Sequence, residues 1–148
     1  MKNVITICSM LLLAFALASC GGNTASNIEE YFTSHQDAYN DFMKGVDESA
    51  ASYEGIQTDV TVTGNDINIA LDISDIYKSV GITNSELAKM TFESAGTEAV
   101  EGQVGELQAA LQQLESETGL TGIQIVYNFV YDGEKVFEFV VDKDGLVR

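Results

Sequence analysis

The chain has 148 residues, with 23 acids against seven lysines and arginines, one His, two Cys and no Pro or Trp, and a formal net charge of −16 at neutral pH. Such a field repels nucleic acid and anionic lipid, which excludes polyanion binding and leaves cationic partners or counter-ions. The acids are dispersed, with no run of five or six like charges, so they also keep a secreted domain soluble.

The N-terminal segment is the most specific feature. Lys2 precedes an apolar stretch from Val4 to Ala18, and Leu17-Ala18-Ser19-Cys20 is followed by Gly21-Gly22. A basic start, an apolar core and small residues at the end form a secretory signal peptide. The fifteen apolar-rich residues include Thr6, Cys8 and Ser9 and fall short of the roughly 20 that a spanning helix needs. Leu17 to Cys20 resembles a lipobox, the lipoprotein-processing motif of bacteria. That motif implies cleavage before Cys20 and a diacylglycerol on its sulfur. Residues 1–19 then form a signal peptide, residues 20–26 a lipidated Cys and short tether, and residues 27–148 a single domain. With further acylation such as palmitate, two or three chains anchor stably where one would not. The expected location is extracytoplasmic, at the cell membrane.

Processing leaves 129 residues with six bases against the 23 acids, a formal charge of −17, and removes Cys8 with the leader. An internal disulfide, a cysteine nucleophile and a thiolate metal site are thereby excluded. The remaining length suits one packed core. A flexible six-residue tether reaches only about 13 Å, so the domain sits close to the lipid.

A first helix is expected from Asn27 to Val46. Ser26 and Glu29 have capping-box spacing, and Ile28, Phe32, His35, Tyr39, Phe42 and Val46 recur at steps of four and three on one helical face. A first hairpin follows over Ile56–Ile73. Ile56, Thr58, Val60 and Val62 alternate with polar residues, as do Ile67, Ile69, Leu71 and Ile73. A two-residue turn at Gly64-Asn65 pairs Val62 with Ile67 and Val60 with Ile69, and so fixes the register.

A connection containing Tyr77 and Gly81 leads to a second helix. Thr83 and Glu86 again have capping-box spacing. Leu87 and Met90 begin one apolar face, and Val100, Val104, Leu107, Leu111 and Leu114 continue another. The two halves differ in phase, and Gly96, Gly102 and Gly105 each cost about 1 kcal/mol in a helix interior. A bend or break near Gly96 is therefore expected. Burial of the five residues from Val100 to Leu114, at most about 10 kcal/mol, holds the second half.

A second hairpin spans Ile123–Val141. Ile123, Ile125, Tyr127 and Phe129 share a face with Phe137, Phe139 and Val141 if the loop is the three residues Tyr131-Asp132-Gly133. Val126, Val130, Val136 and Val140 then lie on the outer face, as a candidate partner surface or dimer seam. Asp142 to Arg148 reads as a turn and tail. The elements predict an α+β two-layer sandwich, with a four-stranded antiparallel sheet and two helices on one face.

The order helix, hairpin, helix, hairpin behind a lipobox resembles small lipoproteins of Gram-positive bacteria that carry a domain of unknown function. The likeness runs from Ile28 to Lys143. It rests on Tyr53-Glu54-Gly55, Val60-Thr61-Val62 with Gly64-Asn65, Leu107 to Leu114, and Ile123 to Val130 with Asp132-Gly133. It implies this fold and brings no activity, ligand or catalytic residue.

Chemistry is sparsely signalled. His35 is the lone histidine and sits in the helical stripe with no triad partner spaced for it, so it reads as a packed or boundary residue. Asp59, Asp66 and Asp72 could hold a hard cation weakly, but the close-spaced oxygen ligands of a calcium loop are missing, and Asp142-Lys143-Asp144-Gly145 lacks the later Glu. No GxSxG, HExxH, Walker A or GxGxxG motif occurs. No catalytic residue, metal or cofactor is implied. Three expectations follow. The first is a non-catalytic binding or assembly module that meets another envelope protein through its sheet or helix face, or a peptide at a sheet edge. The second is a small-ligand or cation-binding lipoprotein with a pocket near Tyr31, Tyr53 and Tyr77. The third, an enzyme working with two carboxylates, has no pair to point to.

Overall fold

A computed structural model describes residues 24–51 and 54–147, apart from the side chains of residues 95–100 and 103. The elements in chain order are α1 (Ile28–Ser34), α2 (Gln36–Ala51), β1 (Gln57–Thr63), β2 (Asp66–Asp72), α3 (Ser74–Ser79), α4 (Ser85–Thr118), β3 (Gln124–Tyr131), β4 (Glu134–Asp142) and β5 (Gly145–Leu146). The fold is α+β, as expected. The sheet is not four antiparallel strands: among the described residues it has five, in the order β1-β2-β3-β4-β5, with β2 and β3 parallel. Parallel neighbours need a long crossover, and the segment holding α3 and α4 supplies it. β5 is a two-residue strand in the stretch expected to be a tail, and it pairs with Val141 and Asp142.

The first hairpin has the expected register, Val62 opposite Ile67 and Val60 opposite Ile69. Gly64 takes φ +60 and Asn65 does not take a positive φ, the pattern of a type II′ turn, which twists with its strands. The second hairpin brings the two expected apolar sets onto one face, but two residues away from the register that a three-residue loop implies: Ile125 is opposite Val141, Tyr127 opposite Phe139 and Phe129 opposite Phe137. Its turn, however, is the two residues Asp132-Gly133, both at positive φ (50° and 82°), as a type I′ turn requires. The odd residue is absorbed at Val136, where the register shifts as a bulge, not in the loop.

Both helix starts lie one residue later than the capping-box spacing suggested. Asn27 Oδ1 accepts from Glu30 N at 2.9 Å, and Asn84 Oδ1 accepts from Leu87 N at 2.8 Å. At α4 Asn84 is a stronger N-cap than Thr83 and takes the position. Ser26 instead donates through N and Oγ to Glu30 Oε2, at 2.9 and 2.7 Å. These bonds hold the Glu30 carboxyl below the usual carboxylate range.

The expected first helix is two. It breaks at His35, whose φ, ψ of −124°, 71° leave the helical region. Ser34 Oγ donates to Glu30 O at 2.8 Å and His35 Nδ1 donates to Tyr31 O at 3.0 Å. Gln36 Nε2 donates to Phe32 O at 3.0 Å and to Thr33 O at 3.3 Å, and so takes carbonyls that a continuing helix would have given to the next amides.

The second helix, α4, runs 34 residues without the expected break, about 50 Å. The reason is phase. At 3.6 residues per turn Phe92 lies roughly 60° from Leu107, whereas Leu87 lies roughly 200° away. Ala88 and Phe92 are accordingly buried with Leu107, Leu111 and Leu114, while Leu87 and Met90 are 41% and 60% exposed. The apolar face expected from Leu87 and Met90 is therefore the outward one. α4 lies over β4, with β3 and β5 to either side, and α1 and α2 lie over β1. The core is the layer between them: Ile67, Ile69, Leu71, Ile125, Phe129 and Phe139 from the sheet meet Ile28, Phe32, Phe92, Leu111 and Leu114.

Candidate functional site

A groove opens beside the edge strand β1. Its helical wall is built at the α1–α2 break, where Gln36 Nε2 donates to Phe32 O at 3.0 Å. That bend lets Phe32 and Tyr39 meet edge-on at 5.5 Å, and Phe32 stacks on Phe42 at 5.3 Å. The sheet wall is Val60, Thr61 and Val62. Period-2 alternation aims Val60 and Val62 at the helices, yet both stay half-buried, because among the described residues a hollow is left in front of them. The groove has a volume of about 380 Å³ and is lined also by Glu29, Thr33 and Gln36. Glu29 ties its helical wall to the hairpin turn: Glu29 N donates to Gly64 O at 3.0 Å, and Gly64 N donates to Glu29 Oε2 at 2.7 Å. No lysine or arginine is among the residues that line it.

A smaller polar hollow of about 170 Å³ lies at the other end of the hairpin, lined by Gln57, Asp72, Ser74, Asp75, Lys78 and Asp132 among others. Ser74 Oγ donates to Asp72 Oδ1 and accepts from Asp132 N at 2.8 Å. Lys78 Nζ donates to Asp132 Oδ1 and stands 5.5 Å from the centre of the Tyr131 ring. The hydrogen bond it gives to Asp132 holds the pKa of the Lys78 ammonium above its ordinary value. The serine proton is committed to a carboxylate, and the lysine is kept charged. A serine nucleophile needs a free base beside it, so these groups clamp the β3–β4 turn onto α3 instead.

The residues singled out by sequence are scattered. Val126 and Val140 are opposite one another in register and are buried, with 7% and 1% exposure. Val130 is half-buried. Val136, expected beside them on the outer face, is the bulged residue, and its side chain joins the core. The four valines do not make one open stripe. His35, expected within the packed stripe, is exposed; its ring stacks on Tyr31 at 4.4 Å. Asp59 is opposite Ala70 and so diagonal to Asp72, as expected, but among the described residues no three His, Cys, Asp or Glu side chains gather as a metal site. Tyr31 and Tyr77 are buried in the core and line neither hollow. Burial, and then the charge of Glu117, push the Tyr31 phenol up. Cys20 and Tyr53 lie outside the described residues. Among the described residues no helix is long and apolar enough to cross a membrane.

Phe32, Tyr39, Val60 and Val62 read from sequence as ordinary core. One signal marks them as a half-covered edge. The inward positions of β1 are Thr58, Val60 and Val62, smaller than the Ile67, Ile69 and Leu71 of β2. Comparison with protein-family models, curated proteins and solved structures finds no match for this chain.

Proposed function

We propose that this chain is a lipid-anchored extracytoplasmic lipoprotein whose domain is a non-catalytic binding or envelope-assembly module, in keeping with its resemblance to small Gram-positive lipoproteins. The observation that carries the binding half is the lining of the β1 groove. Aromatic and aliphatic side chains face an open hollow, and its carboxylate, Glu29, already accepts from Gly64 N. Such a surface offers contact area and backbone groups; it offers no free proton donor or acceptor pair for chemistry.

The anchor follows from Cys20. Only seven residues separate it from Ile28, whose N–H donates to Asn65 Oδ1 at 3.1 Å. The bilayer would thus face the end of the sheet that carries the Gly64-Asn65 turn. Photo-crosslinking from Thr33 and Thr61 in the native cell, with identification of the captured species, tests the binding reading. A discrete protein adduct at these positions supports it; crosslinks to nothing but lipid overturn it. Mass spectrometry tests the anchor, with a diacylglycerol on Cys20 as the expected result.

A second reading is a small-ligand lipoprotein. The groove volume of about 380 Å³ falls among those of small-molecule sites. An adduct of small mass in the same crosslinking experiment would favour it.

A further inference from the structure

We infer that β1 is a strand-addition site for an extended cationic peptide segment, whose alternate apolar side chains seat in the groove between β1 and the α1–α2 helices. This rests on the binding reading above and names its partner's chemistry.

The two edges of the sheet are treated differently. The β4 side is guarded by the Val136 bulge, by Lys135 paired with Glu138 at 2.6 Å, and by β5 over its last residues. Bulges, charges and short covering strands are the devices by which proteins block edge pairing. β1 carries none of these: Gln57–Thr63 is seven residues with no Lys, Pro or bulge, and among the described residues it is paired only to β2. Its single charge is Asp59.

The backbone pattern places the free groups beside the groove. A two-residue turn makes its flanking residues, Thr63 and Asp66, a hydrogen-bonded pair, and such pairs alternate along an antiparallel ladder. Thr61 and Asp59 therefore spend their peptide groups on β2. The N–H and C=O groups of Thr58, Val60 and Val62 point away from it, into the open edge. The same residues aim their side chains toward α1 and α2. An incoming strand would find hydrogen bonds and a place for every second side chain together, which is the pattern of strand-addition recognition.

Charge selects the occupant. From Ile28 to Asp72 the chain carries ten acids against one lysine, Lys44, which is itself 3.8 Å from Glu48. A second copy of this chain would bring the same charge to the same edge, and like charges across a contact are repelled. A strand alternating lysine with valine satisfies both faces. Its valines enter the groove, and its lysines lie toward the exposed Asp59 side.

The test uses the full-length chain in detergent and a capped seven-residue peptide alternating Lys and Val. Calorimetry should show binding about tenfold or more tighter than for the Glu–Val counterpart. N-methylation of one alternate set of peptide amides should weaken binding about tenfold or more, and methylation of the other set should not. Val60→Pro, which removes an outward N–H without touching the ladder to β2, should weaken binding similarly while circular dichroism stays unchanged. The methylated peptides read the same bonds from the ligand side if that variant fails to fold. Equal binding by both methylated sets, binding blind to peptide charge, no binding, or self-association of the chain through β1 would each overturn the inference. If Thr33 and Thr61 still capture a protein in cells while the peptide arms fail, the binding reading survives and strand addition does not.

Discussion

Glu29 and Gly64 hold each other twice, each donating its amide to the other's oxygen, at 3.0 and 2.7 Å. The first turn of α1 is thus bolted to the tip of the β1–β2 hairpin. The bolt satisfies a helix N-terminal N–H that no helical carbonyl can reach. Its neighbour Asn65 extends the junction: Ile28 N donates to Asn65 Oδ1, Asn65 Nδ2 donates to Thr121 O, and Gln124 N donates to Asn65 O. A turn residue therefore joins α1, the first hairpin and the start of β3.

Asn65→Ala should remove two of these bonds and leave Ile28 N without its acceptor, at a cost of roughly 1–3 kcal/mol. Asn65→Asp should cost less, because it keeps an acceptor for Ile28 N and puts a negative charge at a helix N-terminus. Urea unfolding checks this, with midpoints ordered wild type, Asp, Ala. Equal midpoints for the two variants would show that the Ile28 bond is not what matters.

A second junction closes the other side of the same end. Glu115 is buried on α4, and its Oε1 accepts from Ile123 N at 3.0 Å. Glu115→Ala would orphan a buried backbone N–H and should cost roughly 1.5–3 kcal/mol. Glu115→Gln keeps the acceptor and should recover most of that. Equal losses in thermal unfolding would mean that charge, not the hydrogen bond, is the source.

The orientation of α4 gives a third prediction. Phe92 is fully buried, 4.3 Å from Phe129 and 4.8 Å from Phe137 between ring centres. Phe92→Ala should cost about 3–5 kcal/mol. Met90→Ala, at a position 60% exposed, should stay within about 0.5 kcal/mol. The reverse order would restore the face that the sequence suggested.

That reversal shows where sequence patterns run out. Local pairing is legible because its signals are adjacent: Val60, Val62, Ile67 and Ile69 alternate around Gly64-Asn65, and the register follows. In the second hairpin the shared face of Tyr127, Phe129, Phe137 and Phe139 is legible too. The site of the extra residue is not, since period 2 fixes parity and says nothing of where along the strand parity slips. Leu87 and Met90 looked inward because they are apolar, but Phe92 is the residue in phase with Leu107. The parallel β2–β3 contact is invisible locally, being made only when α3 and α4 fold back. The groove is hidden for a similar reason. Phe32, Tyr39, Val60 and Val62 have core composition, and Tyr39, Val60 and Val62 are half-covered because no strand among the described residues lies outside β1.

The cap at α1 gives a pH-dependent prediction. Backbone and side-chain hydrogen bonds from Ser26 hold Glu30 below its ordinary value of 4.5. A carboxyl with a lower pKa folded than unfolded stabilises the fold above the unfolded value, and that contribution fades as pH falls through the folded value. The Ser26–Glu30 link should therefore be whole at neutral pH and open on acidification below about 4.5. Glu30→Gln should be less stable than wild type at pH 7, and the gap should close as pH falls through the folded value of Glu30, where the wild-type carboxyl is protonated as well. The Ser26 amide resonance should move with the same midpoint, below 4.5. An offset between the two proteins that stays constant from pH 7 through the acid midpoint of the Ser26 resonance would assign the effect to side-chain shape, since ionisation alone makes it depend on acid.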